Sequence, residues 1–105
     1  MRCMPSDRTW RQRFQDMLDA AYRILAYTEG MTFEQFVSDR RTFDATLYNI
    51  AVIGDAANNV PDEIQSSLPE VPWSDLVGIR IVIVHRYFHI SGPLIWDAAT
   101  LIHRR

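Results

Sequence analysis

The sequence has no lysine and a single cysteine, Cys3. One cysteine excludes an intramolecular disulfide and any cysteine-based zinc spacing, and such cysteine usage suits a reducing compartment, so a cytoplasmic location is expected. No stretch approaches the ~20 apolar residues of a membrane span, and the N-terminus lacks the apolar core of a signal peptide. No membrane partner is therefore expected. A large excess of either charge is also missing. Eleven basic and thirteen acidic residues leave a net charge of -2, which argues against a uniformly basic nucleic-acid coat. Repeats, low-complexity segments and linkers are absent as well. At 105 residues the chain is expected to form one domain over 1–105, with residues 1–6 frayed. All eleven basic residues are arginine. This reflects either genome composition or local patches in which a planar fork recognises phosphate.

What is present is helical pattern. Ser6 can cap a helix over about 7–28, whose apolar stripe is Trp10, Phe14, Met17, Leu18, Ala21, Tyr22 and Leu25. Gly30 suits its C-terminal cap. Thr32 and Gln35 form a capping box for a short helix over 33–38, and Asp39 caps a long one over 40–59. That third helix presents Phe43, Leu47, Ile50, Ala51, Gly54 and Ala57 on one face. A glycine inside a helix costs about 1 kcal/mol against alanine, so Gly54 implies close approach of a neighbouring helix. Pro61 suits the first position of the short turn "PDEIQSSL". Ser74, as N-cap, and Asp75, in the first turn, predict a helix over 75–88, even though "GIRIVIVHRYFHI" is rich in β-branched residues. A strand there would have no partner. Ser91, Gly92 and Pro93 open a last helix through "LIWDAATLIHRR". The expected fold is all-α: an antiparallel bundle of four main helices plus short turns.

Two polar residues, Arg80 and His85, interrupt the apolar run. On a helix, five residues turn about 140° and rise about 7.5 Å, whereas Tyr87 returns to within about 20° of Arg80. Histidine moves protons near neutrality, and arginine offers a fork for phosphate or its transition-state charge. The pair suits RNA cleavage without a metal, with His85 handling a proton at the ribose 2′-OH or the leaving oxygen and Arg80 steadying the phosphorane. By spacing alone, an Arg80 salt bridge and a helix-capping His85 account for the same residues.

The wider sequence resembles the HEPN-domain, HepT-like ribonuclease toxins of prokaryotic toxin–antitoxin modules. Their Arg, four residues, His, any residue, Tyr pattern reads here as Arg80, Ile81-Val82-Ile83-Val84, His85, Arg86, Tyr87. "IGDAANNVPDEI" from Ile53 resembles the family's "iGEAa" helix, with Asp55 at the acid. "PEVPWSDLVGIR" resembles the lead-in, placing Pro72, Trp73 and Gly78 in register, and "ISGPLIWDAA" resembles the following helix through Trp96. The likeness covers about 7–103. It implies a HEPN-type bundle, a homodimer whose two motif helices face one RNA cleft, and a small nucleotidyltransferase (MntA-like) antitoxin that adds AMP to Tyr87. Arg80 and His85 are then catalytic, and Asp55 and Tyr87 support them. The sequence departs from the pattern at Ile81, where asparagine is usual, at Asp55 in place of glutamate, and at Ser91 in place of aspartate. Ile81 supports the alternative of a catalytically weakened module that binds RNA, nucleotide or the nucleotidyltransferase.

Arg86, Arg40 and Arg41 are candidate RNA contacts, the last two doubling as a helix-start charge pair. Trp73 and Trp96 are read as packing anchors rather than base-stacking platforms. His89 follows His85 by one turn, but no third ligand accompanies them, so no metal and no cofactor is expected. His103, Arg104 and Arg105 are read as solvated.

Overall fold

The computed structural model describes the backbone of residues 7–86 and 92–103, and the side chains of 9–83 and 92–100. Six helices follow one another among the described residues: α1 (Asp7–Thr28), α2 (Phe33–Ser38), α3 (Arg40–Asn58), α4 (Asp62–Ser67), α5 (Trp73–Arg86) and α6 (Gly92–His103). The fold is the expected all-α bundle. Four helices are long, and α2 and α4 are six-residue connectors. The expected caps at Ser6 and Ser91 lie outside the described residues, as does any extension of α5 to residue 88.

Local hydrogen bonds set several boundaries where the sequence places them. Gly30 takes φ 73°, a left-handed conformation that ends α1 without a Cβ clash. At α2 the Gln35 amide donates to Thr32 Oγ1 at 3.1 Å, and the Thr32 amide donates to Gln35 Oε1 at 2.9 Å. Asp39 accepts from the Thr42 amide at 3.2 Å and from the Thr42 hydroxyl at 2.8 Å, and these bonds hold its carboxyl below the usual carboxylate range. The direction of that shift fixes its linkage to pH. The cap's contribution is complete above the ordinary carboxylate range and is lost as pH falls through the lowered value.

Three expectations need correction. Helix α5 begins at Trp73, not after Ser74, because the Pro72 carbonyl already accepts from the Leu76 amide at 3.0 Å. Ser74 thus lies inside the first turn. Pro61 precedes α4 rather than opening it, its carbonyl taking the Ile64 and Gln65 amides at 3.0 Å each. The buried face of α1 keeps Met17 of the predicted stripe, with Phe14 and Ala21 packed against the core, but departs from it elsewhere. Leu18 and Tyr22 are 40% and 65% exposed, while Ala20, Ile24 and Thr28 are buried.

Helix α3 is the centre of the bundle, packed against both α1 and α5. Its expected face is indeed turned inward, and burial extends further to Thr46, Asn49, Ile53 and Ala56. Phe36, Ile24 and Ile95 are fully buried, each contributing about 1.5–3 kcal/mol by removal from water. Trp96 packs edge-on to Phe33 with centroids 6.0 Å apart, and tilted against Phe36 at 5.1 Å. Trp73 is buried, and its indole N–H donates to the Leu68 carbonyl at 3.0 Å. Both tryptophans are packing anchors.

Candidate functional site

Helices α3 and α5 meet backbone to backbone at Gly54. A Cβ added there would strike the Cβ of Arg80 and lie 2.6 Å from the Leu76 carbonyl oxygen. Only a hydrogen fits, which is the close approach that a mid-helix glycine implies. The first carbons of Arg80 lie across Gly54, and the side chain reaches the neighbouring residue of α3: Arg80 Nε stands 3.6 Å from Asp55 Oδ1.

The two side chains are 36% and 57% exposed. Water screens such a pair, so it adds no more than about 1 kcal/mol to stability. Its consequence is positional. A guanidinium carries five N–H donors, and Asp55 engages it through Nε. The arginine is therefore held by its stem against α3 while remaining open to solvent, as a cation that meets an incoming anion must be.

Two of the expected site residues, Arg80 and Asp55, are thus brought together by tertiary packing. His85 follows on α5, five residues later, hence about 140° around the axis from Arg80; its side chain, like that of Arg86, lies outside the described residues, and Tyr87 lies outside them altogether. Ile81, beside Arg80, is 47% exposed. Arg40 and Arg41 are not brought to this place. They begin α3, roughly 21–22 Å along its axis from Asp55, where Arg40 pairs with Asp44 at 3.1 Å and stacks over Phe43 at 4.7 Å. Among the described residues, no three His, Cys, Asp or Glu side chains gather as a metal site, and no helix is long and apolar enough to cross a membrane.

A groove lies between α1 and α3, lined by Asp16, Asp19, Arg23, Tyr27, Tyr48 and Asn49. Asp16, Asp19, Arg23 and Tyr27 share one face of α1 at helical spacing, but only tertiary packing sets them beside Tyr48 and Asn49 of α3.

The family model for HepT-like ribonucleases matches residues 17–102. The chain belongs to the HepT-like ribonuclease family. Its curated relatives include "Putative RNase MJ0127" of Methanocaldococcus jannaschii, 35% identical over 78% of this chain and 68% of that protein. Another is "Probable ribonuclease HepT" of Thermococcus cleftensis, 28% identical over 85% of this chain and 81% of that one. No solved structure matches. Within this HepT-like HEPN protein, the matched segment includes Gly54, Asp55, Arg80 and His85.

Proposed function

We propose that this HepT-like ribonuclease is a toxin endoribonuclease that acts as a homodimer, with Arg80 and His85 at the reacting phosphate. The observation that carries the reading is the Arg80–Asp55 arrangement over Gly54, which holds a solvent-open guanidinium on the motif helix. In the proposed step the ribose 2′-oxygen attacks phosphorus and the 5′-oxygen departs. His85 transfers the proton at the attacking or leaving oxygen, and Arg80 faces the charge that builds on the phosphorane. No metal is assigned a role. Arg80 leans on α3, His85 follows about 140° around α5, and the family resemblance implies two motif helices facing one cleft. That resemblance is the reason for proposing a dimer, in which both copies contribute to one composite site.

Tyr87 is the proposed acceptor of AMP from a nucleotidyltransferase antitoxin. Phosphates attached beside Arg80 would occupy the anion site and repel RNA. The test is cleavage of RNA by pure protein in EDTA, compared with Arg80→Ala and His85→Ala. Loss in both variants is expected; equal rates in all three proteins would overturn the mechanism. Incubation with ATP and the antitoxin, followed by mass spectrometry of the Tyr87 peptide, should show added AMP, and an unmodified peptide would remove that regulation.

The exposed Ile81 supports a second reading, a binding module with weakened catalysis. Where the family usually carries asparagine, this chain puts an apolar side chain that is 47% exposed beside Arg80. A large gain of cleavage in Ile81→Asn would favour it.

A further inference from the structure

We infer that the groove between α1 and α3 is a nucleobase subsite, selective for guanine, on the RNA strand whose phosphate meets Arg80. The inference rests on the ribonuclease reading above. The groove measures about 480 Å³, within the ~300–1,000 Å³ of small-ligand sites.

Its walls are fixed by hydrogen bonds. Asn49, only 3% exposed, donates to the Ala45 carbonyl at 2.8 Å, and its side-chain oxygen accepts from Arg23 Nη1 at 3.3 Å. The Arg23 guanidinium is thereby tethered to the groove. Gln12 donates to Asp16 Oδ1 at 3.0 Å and Gln15 donates to Asp19 Oδ1 at 2.8 Å. These bonds orient both carboxylates, each of which has further acceptor capacity. Tyr27 and Tyr48 are 39% and 69% exposed, leaving aromatic faces in water that a stacked ring would cover.

The position matters as much as the composition. Tyr48 and Asp55 are seven residues apart on α3, which returns to within about 20° of the same face and separates them by roughly 10 Å. Neighbouring nucleotides of one strand can reach both. Two aspartates against the one arginine leave the groove lining net negative, less suited to phosphate than to a base edge. Unpaired RNA bases are held in this way, stacked on tyrosine and hydrogen-bonded along the Watson–Crick edge. Guanine presents two adjacent donors, N1–H and the N2 amino group, that match one carboxylate. Uracil presents a single N–H between two carbonyls, and in adenine and cytosine a ring-nitrogen lone pair sits beside the amino group and opposes the carboxylate.

The test uses short 2′-O-methyl RNA, which lacks the attacking hydroxyl, either all-uridine or carrying guanine, with binding followed by fluorescence anisotropy. Wild-type protein should prefer the guanine-containing strand by about tenfold. Tyr48→Ala should weaken that binding about tenfold, Tyr48→Phe should keep it, and joint Asp16→Asn and Asp19→Asn should erase the preference while uridine binding persists. Circular dichroism checks that each variant stays helical. If Tyr48→Ala and the aspartate variants bind like wild type while Arg80→Ala loses RNA, the subsite is overturned and the catalytic reading stands. If guanine preference depends on Tyr48 but Arg80→Ala changes neither binding nor cleavage, the catalytic reading fails instead. Failure of wild type to bind either strand overturns both. Loss of antitoxin association in Tyr48→Ala with RNA binding intact assigns the groove to a protein partner and also overturns the proposal.

Discussion

The two ends of α3 hold an arginine and an aspartate in different ways. At the beginning, Arg40 pairs with Asp44 at 3.1 Å, one turn along the same helix. Any helix with this sequence can make that contact. Toward the end, Asp55 meets Arg80 from α5 at 3.6 Å, and this pair exists only when the bundle has formed and Gly54 has let α5 settle onto α3. The shorter ion pair is thus the less informative one. A local pair marks a solvated helix start, whereas a pair that depends on backbone contact between helices fixes a cation in space. The packing differs as well. The early end is secured by overlapping rings, Phe43 against Phe36 at 5.4 Å and Phe36 against Trp96 at 5.1 Å, which can adjust. The late end is secured by the absence of a side chain, which cannot.

This contrast can be broken from either end. Phe36→Ala empties a fully buried site and should cost about 3–5 kcal/mol of stability, read as a fall in thermal midpoint, with Arg80 still on Asp55. Gly54→Ala should cost less, about 1–3 kcal/mol from overpacking, yet lower RNA cleavage more than Phe36→Ala does when both are assayed well below their midpoints, because it moves Arg80 itself. Between the two ends sits Thr46, fully buried, with no hydrogen-bond partner for its hydroxyl among the described residues. Thr46→Val should raise stability by about 1 kcal/mol, measured by urea unfolding. A double-mutant cycle on Arg80 and Asp55 should return no more than about 1 kcal/mol of coupling in stability, while Asp55→Ala lowers cleavage. The same cycle on Arg40 and Asp44 should return about 0.3–0.5 kcal/mol, and Arg40→Ala should leave cleavage unchanged. An equal loss of cleavage in Arg40→Ala and Asp55→Ala would erase the distinction.

How much the sequence revealed follows the range of each interaction. Thr32, Gln35 and Asp39 were legible because a cap binds amides within its own turn. Gly54 was legible because a helix-interior glycine needs a reason, and the reason lies one helix away. Ser74 misled because a good cap side chain is not needed where the Pro72 carbonyl already takes the first helical bond. The α1 stripe is right at Met17, Phe14 and Ala21 but misses Ala20 and Thr28, whose small or hydroxylated side chains weigh little in a hydropathy pattern. Leu18 and Tyr22 fit the apolar period yet face solvent. The Arg80 motif emerged from its register with Pro72, Trp73, Gly78 and Trp96 rather than from its own spacing. The groove is legible only on its α1 side, where Asp16, Asp19, Arg23 and Tyr27 recur at helical spacing; its pairing with α3 is not, since Arg23 and Asn49 are 26 positions apart.

Gln65 ties the end of α3 to α4. Its side-chain amide donates to the Ala57 and Val60 carbonyls at 3.0 Å each, so the final turn of α3 is closed by a residue of α4. That six-residue helix has no fully buried residue of its own, which places it among the parts of a fold that open first. Each opening of α4 frees the end of α3 within a turn of Asp55. Hydrogen exchange at the last amides of α3 should then follow the rate of α4 rather than that of the core, and the grip on Arg80 should loosen to the same rhythm.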